Sequence, residues 1–246
     1  MVDMLDMGNE NRQNRFAVVI PAYNHGAQVA QVARQAQALG YPVFVVDDGS
    51  TDDAPLRLAE VQGITILRHL KNEGKGAAIM TGFMAASNVA DYALTMDADG
   101  QHLPEDAVTL MEAVPAGERP IVVGAREGMN ADQGAHIPWT SRFGRKFSNF
   151  WVWISGGPWL SDSQSGMRAY PLPEVMSLDI RARRFQFEVE ILVKAKRRGI
   201  SILEAPVRVV YPQDGTRVSH FRPFVDFMRN TKTFTRLIFT RIFLRH

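Results

Sequence analysis

Short apolar runs, each stopped by a polar turn and followed by a stretch of helical period, constrain this chain most. Phe16–Ile20 reads FAVVI and ends at Pro21; Val43–Asp47 reads VFVVD and ends at Asp48-Gly49-Ser50. Ile64–Leu67, Tyr92–Met96 and Ile121–Gly124 continue the series. Uninterrupted apolar runs of this length suit parallel strands buried on both faces. Between them, Gln28–Leu39 (closed by Gly40), a segment from Ala54, Lys75–Ala86 and a segment from Pro104 read as helices. Thr51 or Asp52 can cap the second helix, and Pro104 suits a first helical position. Strand–helix–strand repetition predicts a mostly parallel α/β sheet with right-handed crossovers.

After Gly124 the rhythm breaks. Residues 127–137 are rich in Gly, Asn and Asp and read as a loop. Ser141–Ile154 and Phe185–Arg198 read as helices, the latter ended by Gly199. Ile200–Glu204 and Val207–Tyr211 read as two further strands. No repeat or Ser/Gly linker divides the chain. The expected organisation is a loosely ordered 1–15, one domain over 16–212, and a basic amphipathic segment over 213–246.

With no cysteine, disulfides, thiolate metal sites and Cys nucleophiles are excluded. The N-terminus lacks the basic flank and apolar core of a secretory signal, and no run of about 18 uncharged apolar residues could span a bilayer. Charge is uneven: residues 1–135 hold 9 Lys/Arg against 18 Asp/Glu, and residues 136–246 hold 19 against 8. An acidic half suits a cation and a basic half suits anions. Nucleic acid is not the expected partner, because no nucleic-acid module accompanies the basic residues.

Ligands of open α/β sheets sit beyond the carboxyl ends of the strands. Three such ends here are polar: Pro21-Ala22-Tyr23-Asn24, Asp47-Asp48-Gly49-Ser50 and Asp97-Ala98-Asp99-Gly100-Gln101-His102. Carboxylates at i and i+2 can converge once the chain turns, giving the oxygen environment that Mg²⁺ or Mn²⁺ prefers. An isolated Asp-x-Asp is more often a turn cap. Its position at the end of an apolar strand, with Asp47-Asp48 at another, favours the metal reading.

Taken together, VVIPAYN (Val18–Asn24), VVDDGSTD (Val45–Asp52), NEGKGAAIMTGF (Asn72–Phe83) and MDADGQH (Met96–His102) resemble glycosyltransferase family 2. GAREG (Gly124–Gly128), SRFGRKFSN (Ser141–Asn149), DSQSGMRAY (Asp162–Tyr170) and FEVEIL (Phe187–Leu192) extend the resemblance, roughly over residues 16–212. The branch that looks most similar is that of the dolichyl- and polyprenyl-phosphate mannose or glucose synthases. The resemblance implies a GT-A fold and metal-dependent, inverting transfer from GDP-mannose or a UDP-hexose to a lipid-linked acceptor, a polyprenyl phosphate foremost.

The resemblance also implies residue roles. Pro21, Ala22, Tyr23, Asn24, Asp48, Lys75, Asp97 and Ala98 would line the nucleotide-sugar pocket. Asp97, Asp99 and Gln101 would hold Mg²⁺ or Mn²⁺. Arg126 and Arg142 would meet the acceptor phosphate, and with Asp97, Asp99 and Asp162 they form the expected catalytic set. A phosphate acceptor is already an anion and needs no base, whereas a neutral hydroxyl would need one, with Asp162, Glu188 and Glu190 as candidates. Asp162 can equally be structural, holding the Ser165-Gly166 turn.

Phe221–His246 holds six Lys/Arg and one Asp among apolar residues, with Phe224, Phe227, Met228, Phe234, Ile238 and Ile242 at helical spacing. An interfacial helix on an anionic membrane fits this composition, as does a terminal helix docked on the sheet. The expected location is therefore cytoplasmic, peripheral at the inner membrane face. Phe147, Phe150, Trp151, Trp153 and Trp159 suit a bilayer edge or a core. Gly215–Phe221 departs from the Gly-x-Ser-Lys acceptor segment of the relatives; Arg217 and His220 are its candidate phosphate contacts, and the departure leaves another lipid or a hydroxyl acceptor open. Gly74-Lys75-Gly76 fails the P-loop pattern, and the histidines lack zinc spacing. A sugar nucleotidyltransferase is the alternative enzyme class, although Pro21–Asn24 replaces its G-x-G-T-R-L pattern.

Overall fold

The structure, a computed structural model, describes residues 14–126, 148–208 and 223–243, the last with side chains from residue 230 onward. Seven strands form one sheet in the order β3-β2-β1-β4-β6-β5-β7. They are β1 (Phe16–Ala22), β2 (Val43–Asp47), β3 (Thr65–Arg68), β4 (Tyr92–Thr95), β5 (Ile121–Arg126), β6 (Arg168–Pro171) and β7 (Ile202–Val207). The helices are α1 (Val29–Gln37), α2 (Ala54–Ala59), α3 (Lys75–Ala86), α4 (Pro104–Glu112), α5 (residues 148–154), α6 (Leu172–Met176), α7 (Phe187–Arg197) and α8 (Pro223–Phe243).

All seven residues of β1 are buried, which its apolar run demands. Successive side chains leave opposite faces of a strand. Val18 and Ile20 accordingly pack with Val32, Leu58 and Leu110 of α1, α2 and α4. Ala17 and Val19 pack on the other face with Ile79, Phe83 and Phe187 of α3 and α7. These two cores make the sheet a buried middle layer.

One expectation is corrected. The strands expected at Ile200–Glu204 and Val207–Tyr211 are one strand, β7, running through Pro206, with residues 209–211 outside the described residues. Pro206 looks like a break, but among the described residues β7 pairs only with β5 at the sheet edge, where a missing N–H is harmless. The sheet is mostly parallel, as expected, with one antiparallel strand. β6, whose sequence Arg-Ala-Tyr-Pro has no apolar run, lies antiparallel between β4 and β5.

At the C-terminus α8 docks on the domain. Phe234 and Leu237 are buried with Val152, Val189 and Val193. Arg236 lies 2.8 Å from Glu190, and Arg197 donates to Leu237 O and Thr240 Oγ1. The outer face carries exposed Phe239, Ile242 and Phe243. Trp151 meets Phe234 at 6.0 Å between ring centres, while Phe150, Trp153 and Trp159 are exposed; Phe147, Phe224, Phe227 and Met228 have no described side chains. At the other end Arg15 forms an ion pair with Asp91 at 3.0 Å, so order begins before β1. Among the described residues no helix is long and apolar enough to cross a membrane.

Candidate active site

From β1 the chain winds outward through β2 to β3, then returns to β4 on the other side of β1. That reversal opens a crevice beyond the carboxyl ends of β1 and β4, where ligands of such sheets bind. β1–β4 pairing reaches Val19↔Thr95 and closes with Met96 N donating to Val19 O. Pro21 points the same way as Val19, so its missing N–H falls where β4 has already turned away. Asp97 enters the crevice from that turn.

Tight contacts shape the crevice walls. Asn24 has a left-handed backbone (φ 53°), accepts the Thr51 N–H at its Oδ1 and donates its own N–H to Ser50 Oγ. These bonds clip the β1 turn, with Tyr23, to the β2 turn. Gly49 (φ 72°) permits that turn, since a Cβ there would lie 2.5 Å from the Lys71 backbone. Asp48 is buried: Oδ1 takes His69 Nδ1 and the Glu73 N–H, and Oδ2 takes the Gly74 N–H at 2.7 Å. Its carboxylate thus anchors the 69–74 loop, directing it toward Lys75.

Lys75, the first residue of α3, lies 2.7 Å from Asp97 Oδ1 and 2.6 Å from Glu188 Oε1 on α7. The Asp97 N–H donates to His102 Nδ1 at 3.3 Å. Gly166 lies against the Asp97 carboxylate so closely that a Cβ would stand 2.2 Å from Oδ2. Asp99 Oδ1 accepts the Gln101 N–H at 3.1 Å, while its Oδ2 has no partner among the described residues. The Gln101 side chain is buried and its Nε2 has no hydrogen-bond partner among the described residues. Ala98 is buried in the core beneath the turn.

Across the site, Arg126 at the end of β5 grips Asp162 through Nε and Nη2, the latter at 2.9 Å from Oδ1. Asp162 is buried and also accepts the Gln164 N–H at 3.2 Å. Its charge is matched within the protein, which favours the structural side of the expectation for it. Glu190, fully buried, receives the Ala182 N–H, Lys194 and Arg236; it ties α7 to α8 rather than facing the crevice. Arg142, Arg217 and His220 lie outside the described residues.

The model of family "Glycosyl transferase family 2" matches residues 17–170. This chain belongs to that family. It is 31% identical over 216 residues to the UDP-N-acetylglucosamine–dolichyl-phosphate N-acetylglucosaminyltransferase of Methanococcus voltae, covering 80% of this chain and 86% of that one. It is 30% identical over 208 residues to the undecaprenyl-phosphate mannosyltransferase of Micrococcus luteus, covering 80% and 84%. Among solved structures it resembles the glucosyl-3-phosphoglycerate synthase of Mycobacterium tuberculosis, crystallised with Mn²⁺, UDP and glucosyl-3-phosphoglycerate. There the TM-score is 0.69 at 19% identity, over 93% of this chain and 80% of that one. The fold is GT-A and the protein is a glycosyltransferase, which sets the nucleotidyltransferase alternative aside.

Three participants escape sequence reasoning. His69 bridges Asp48 and Thr81, a contact between strand end and helix that no local spacing announces. Gly166 reads as a turn glycine, although its role is to leave room for Asp97. Arg168 reads as one more basic residue, yet it is fully buried on β6.

Proposed function

We propose that the protein transfers a hexose from a nucleoside-diphosphate sugar to the phosphate of a polyprenyl-type lipid, with inversion at the anomeric carbon. The observation that carries this reading is the pairing of its acids. Asp162 is bound by Arg126, Glu188 by Lys75, and Glu190 by Lys194 and Arg236. A hydroxyl acceptor requires a carboxylate ready to take its proton. A phosphate acceptor is its own nucleophile and requires cations to hold it. The lipid-phosphate acceptors in the relatives' names agree with this choice.

The donor would lie in the β1–β4 crevice, its base and ribose against Pro21, Ala22, Tyr23, Asn24 and Ala98, with Asp48 holding the wall behind them. Asp97, steadied by Lys75 and Gly166, would face the ribose and the metal. Asp99, with an oxygen to spare, suits a hard cation, and the amide oxygen of Gln101 would be the next ligand. Among the described residues no three His, Cys, Asp or Glu are gathered as a metal cage, so the remaining ligands would come from phosphate and water. Bound Mg²⁺ or Mn²⁺ would neutralise the charge that builds on the departing nucleoside diphosphate. Arg126, set by Asp162, would position the acceptor phosphate, joined by Arg142, Arg217 and His220.

The exposed Phe239, Ile242 and Phe243 on α8, and Phe150, Trp153 and Trp159, support peripheral attachment to an anionic membrane surface, where such an acceptor resides. On this reading the protein works at the cytoplasmic membrane face. The test is incubation of the purified protein with radiolabelled GDP-mannose, UDP-glucose or UDP-N-acetylglucosamine, a polyprenyl phosphate and Mn²⁺. Label should enter an organic-soluble lipid phosphate and should cease to do so with EDTA. Label passing only to a hydroxyl-bearing lipid or glycan would overturn the acceptor assignment.

A further inference from the structure

Arg168 is fully buried, and its guanidinium meets no carboxylate within ion-pair distance among the described residues. It donates instead to four neutral oxygens: Ser165 O from Nε, Ser163 O from Nη2, and both Glu188 O and the Tyr170 hydroxyl from Nη1. The three carbonyl bonds are all 2.8 Å long and the hydroxyl bond is 3.3 Å. A buried cation without a counter-ion is costly, and a guanidinium cannot escape by losing its proton. Filling space does not require such a residue; what it does that an apolar side chain could not is satisfy three buried carbonyls at once.

The three carbonyls belong to segments that hold the site. Ser163 follows Asp162, the partner of Arg126. Ser165 precedes Gly166, on which the Asp97 carboxylate rests. Glu188 grips Lys75, which in turn grips Asp97. The planar fork has fixed geometry, so one side chain fixes the 162–166 loop and the start of α7 relative to β6. β6 supplies the base for the fork, with Arg168 in register between Thr95 of β4 and Val123 of β5. Thr95 Oγ1 reinforces the same loop by donating to Gly166 O at 2.8 Å.

We propose that Arg168 is a positioning residue that keeps the donor-side Asp97 and the acceptor-side Arg126–Asp162 pair in register. The proposal rests on the assignment of those groups to donor and acceptor. Reaction of two bound substrates is acutely sensitive to such alignment: a misplacement of about 1 Å can reduce the rate about 100-fold. Donor affinity depends less on the fork, since Lys75 pairs with Asp97 and the Gln101 N–H with Asp99 directly, neither contact including Arg168.

The test compares Arg168→Lys with wild type, measuring kcat and donor KM at saturating acceptor, with the folded fraction followed by circular dichroism and thermal melting. Lysine keeps the charge and loses the fork. The expected result is a kcat at least about 10-fold lower, with donor KM changed less than about 3-fold. Thr95→Val is the milder partner variant and should lower kcat about 3-fold with donor KM unchanged; it decides the matter if Arg168→Lys does not fold. A folded variant with kcat within 2-fold of wild type overturns the proposal, as does a kcat loss fully explained by a smaller folded fraction. Failure of the acceptor assignment would show separately in the wild type, as turnover to water or a hydroxyl acceptor only. The two variants would then be compared on that turnover, with the same criteria.

Discussion

Lys75 Nζ lies between Asp97 Oδ1 at 2.7 Å and Glu188 Oε1 at 2.6 Å, so one ammonium joins the start of α3, the end of β4 and α7. Burial alone would push the Asp97 carboxyl up and the Lys75 ammonium down. The mutual attraction outweighs it. Asp97 is held down at about 2, against burial, by Lys75 and then by His102 and His25. Lys75 is raised, against burial, by Asp97 and Glu188.

This sets a pH window in the metal-free protein. Asp97 falls from 3.8 to about 2 on folding, so its contribution to stability is present above pH 3.8 and disappears as pH falls toward 2. The shift corresponds to about 2 kcal/mol. Lys75 moves upward, so its contribution is complete below pH 10.5 and is lost only at higher pH. Replacing Lys75 with Met leaves burial unopposed by its main cation and should raise the Asp97 midpoint above 3.8. Carboxyl-carbon NMR titration of both proteins measures this; an unmoved midpoint would refute the pairing.

Gly166→Ala tests the support beneath Asp97 without touching a charge. The new Cβ would stand 2.2 Å from Asp97 Oδ2, so the carboxylate must shift. A loss of about 10- to 100-fold in kcat/KM is expected, because alignment errors of this size carry that penalty. Steady-state kinetics with a melting curve as control would decide it. Unchanged kinetics would mean that Asp97 can rotate away without consequence.

How much was legible follows from where each signal is written. Apolar runs mark β1, β2 and β4 because strands buried on both faces need them, and Asp97 and Asp99 are visible as the polar end of such a run. β6 was illegible because its four residues form no apolar run, and its central placement depends on pairing with β4 and β5, far off in sequence. Pro206 hid the continuity of β7, since only the finished sheet reveals that β7 is an edge. Asp162 was visible as an acid, but whether it is a base or a brace depends on Arg126, 36 residues away. Partner choice of that kind is tertiary information.

Asp162→Asn separates those two roles. As a brace for Arg126, it should lose about 10-fold or more in kcat/KM, since half of a bidentate ion pair becomes a neutral amide. The pH–rate profile should keep the limbs of the wild type, because no proton transfer is removed. Disappearance of one limb in the variant would assign Asp162 as the base and revive a hydroxyl acceptor.

The two faces of α8 make separable contributions. Leu237 is buried against α5 and α7, so Leu237→Ala should cost about 2–4 kcal/mol and lower Tm by several degrees. Phe239, Ile242 and Phe243 are more than half exposed, at 56%, 61% and 66%, and replacing all three with Ser should leave Tm nearly unchanged. The same triple variant should sediment poorly with anionic liposomes, because burial of apolar side chains in the bilayer interface is then lost. Melting curves and liposome sedimentation on both variants distinguish a helix that docks inward and binds outward from one that only docks. If the triple variant still sediments like wild type, the outward face of α8 is not the membrane contact, and attachment must come from elsewhere on the protein.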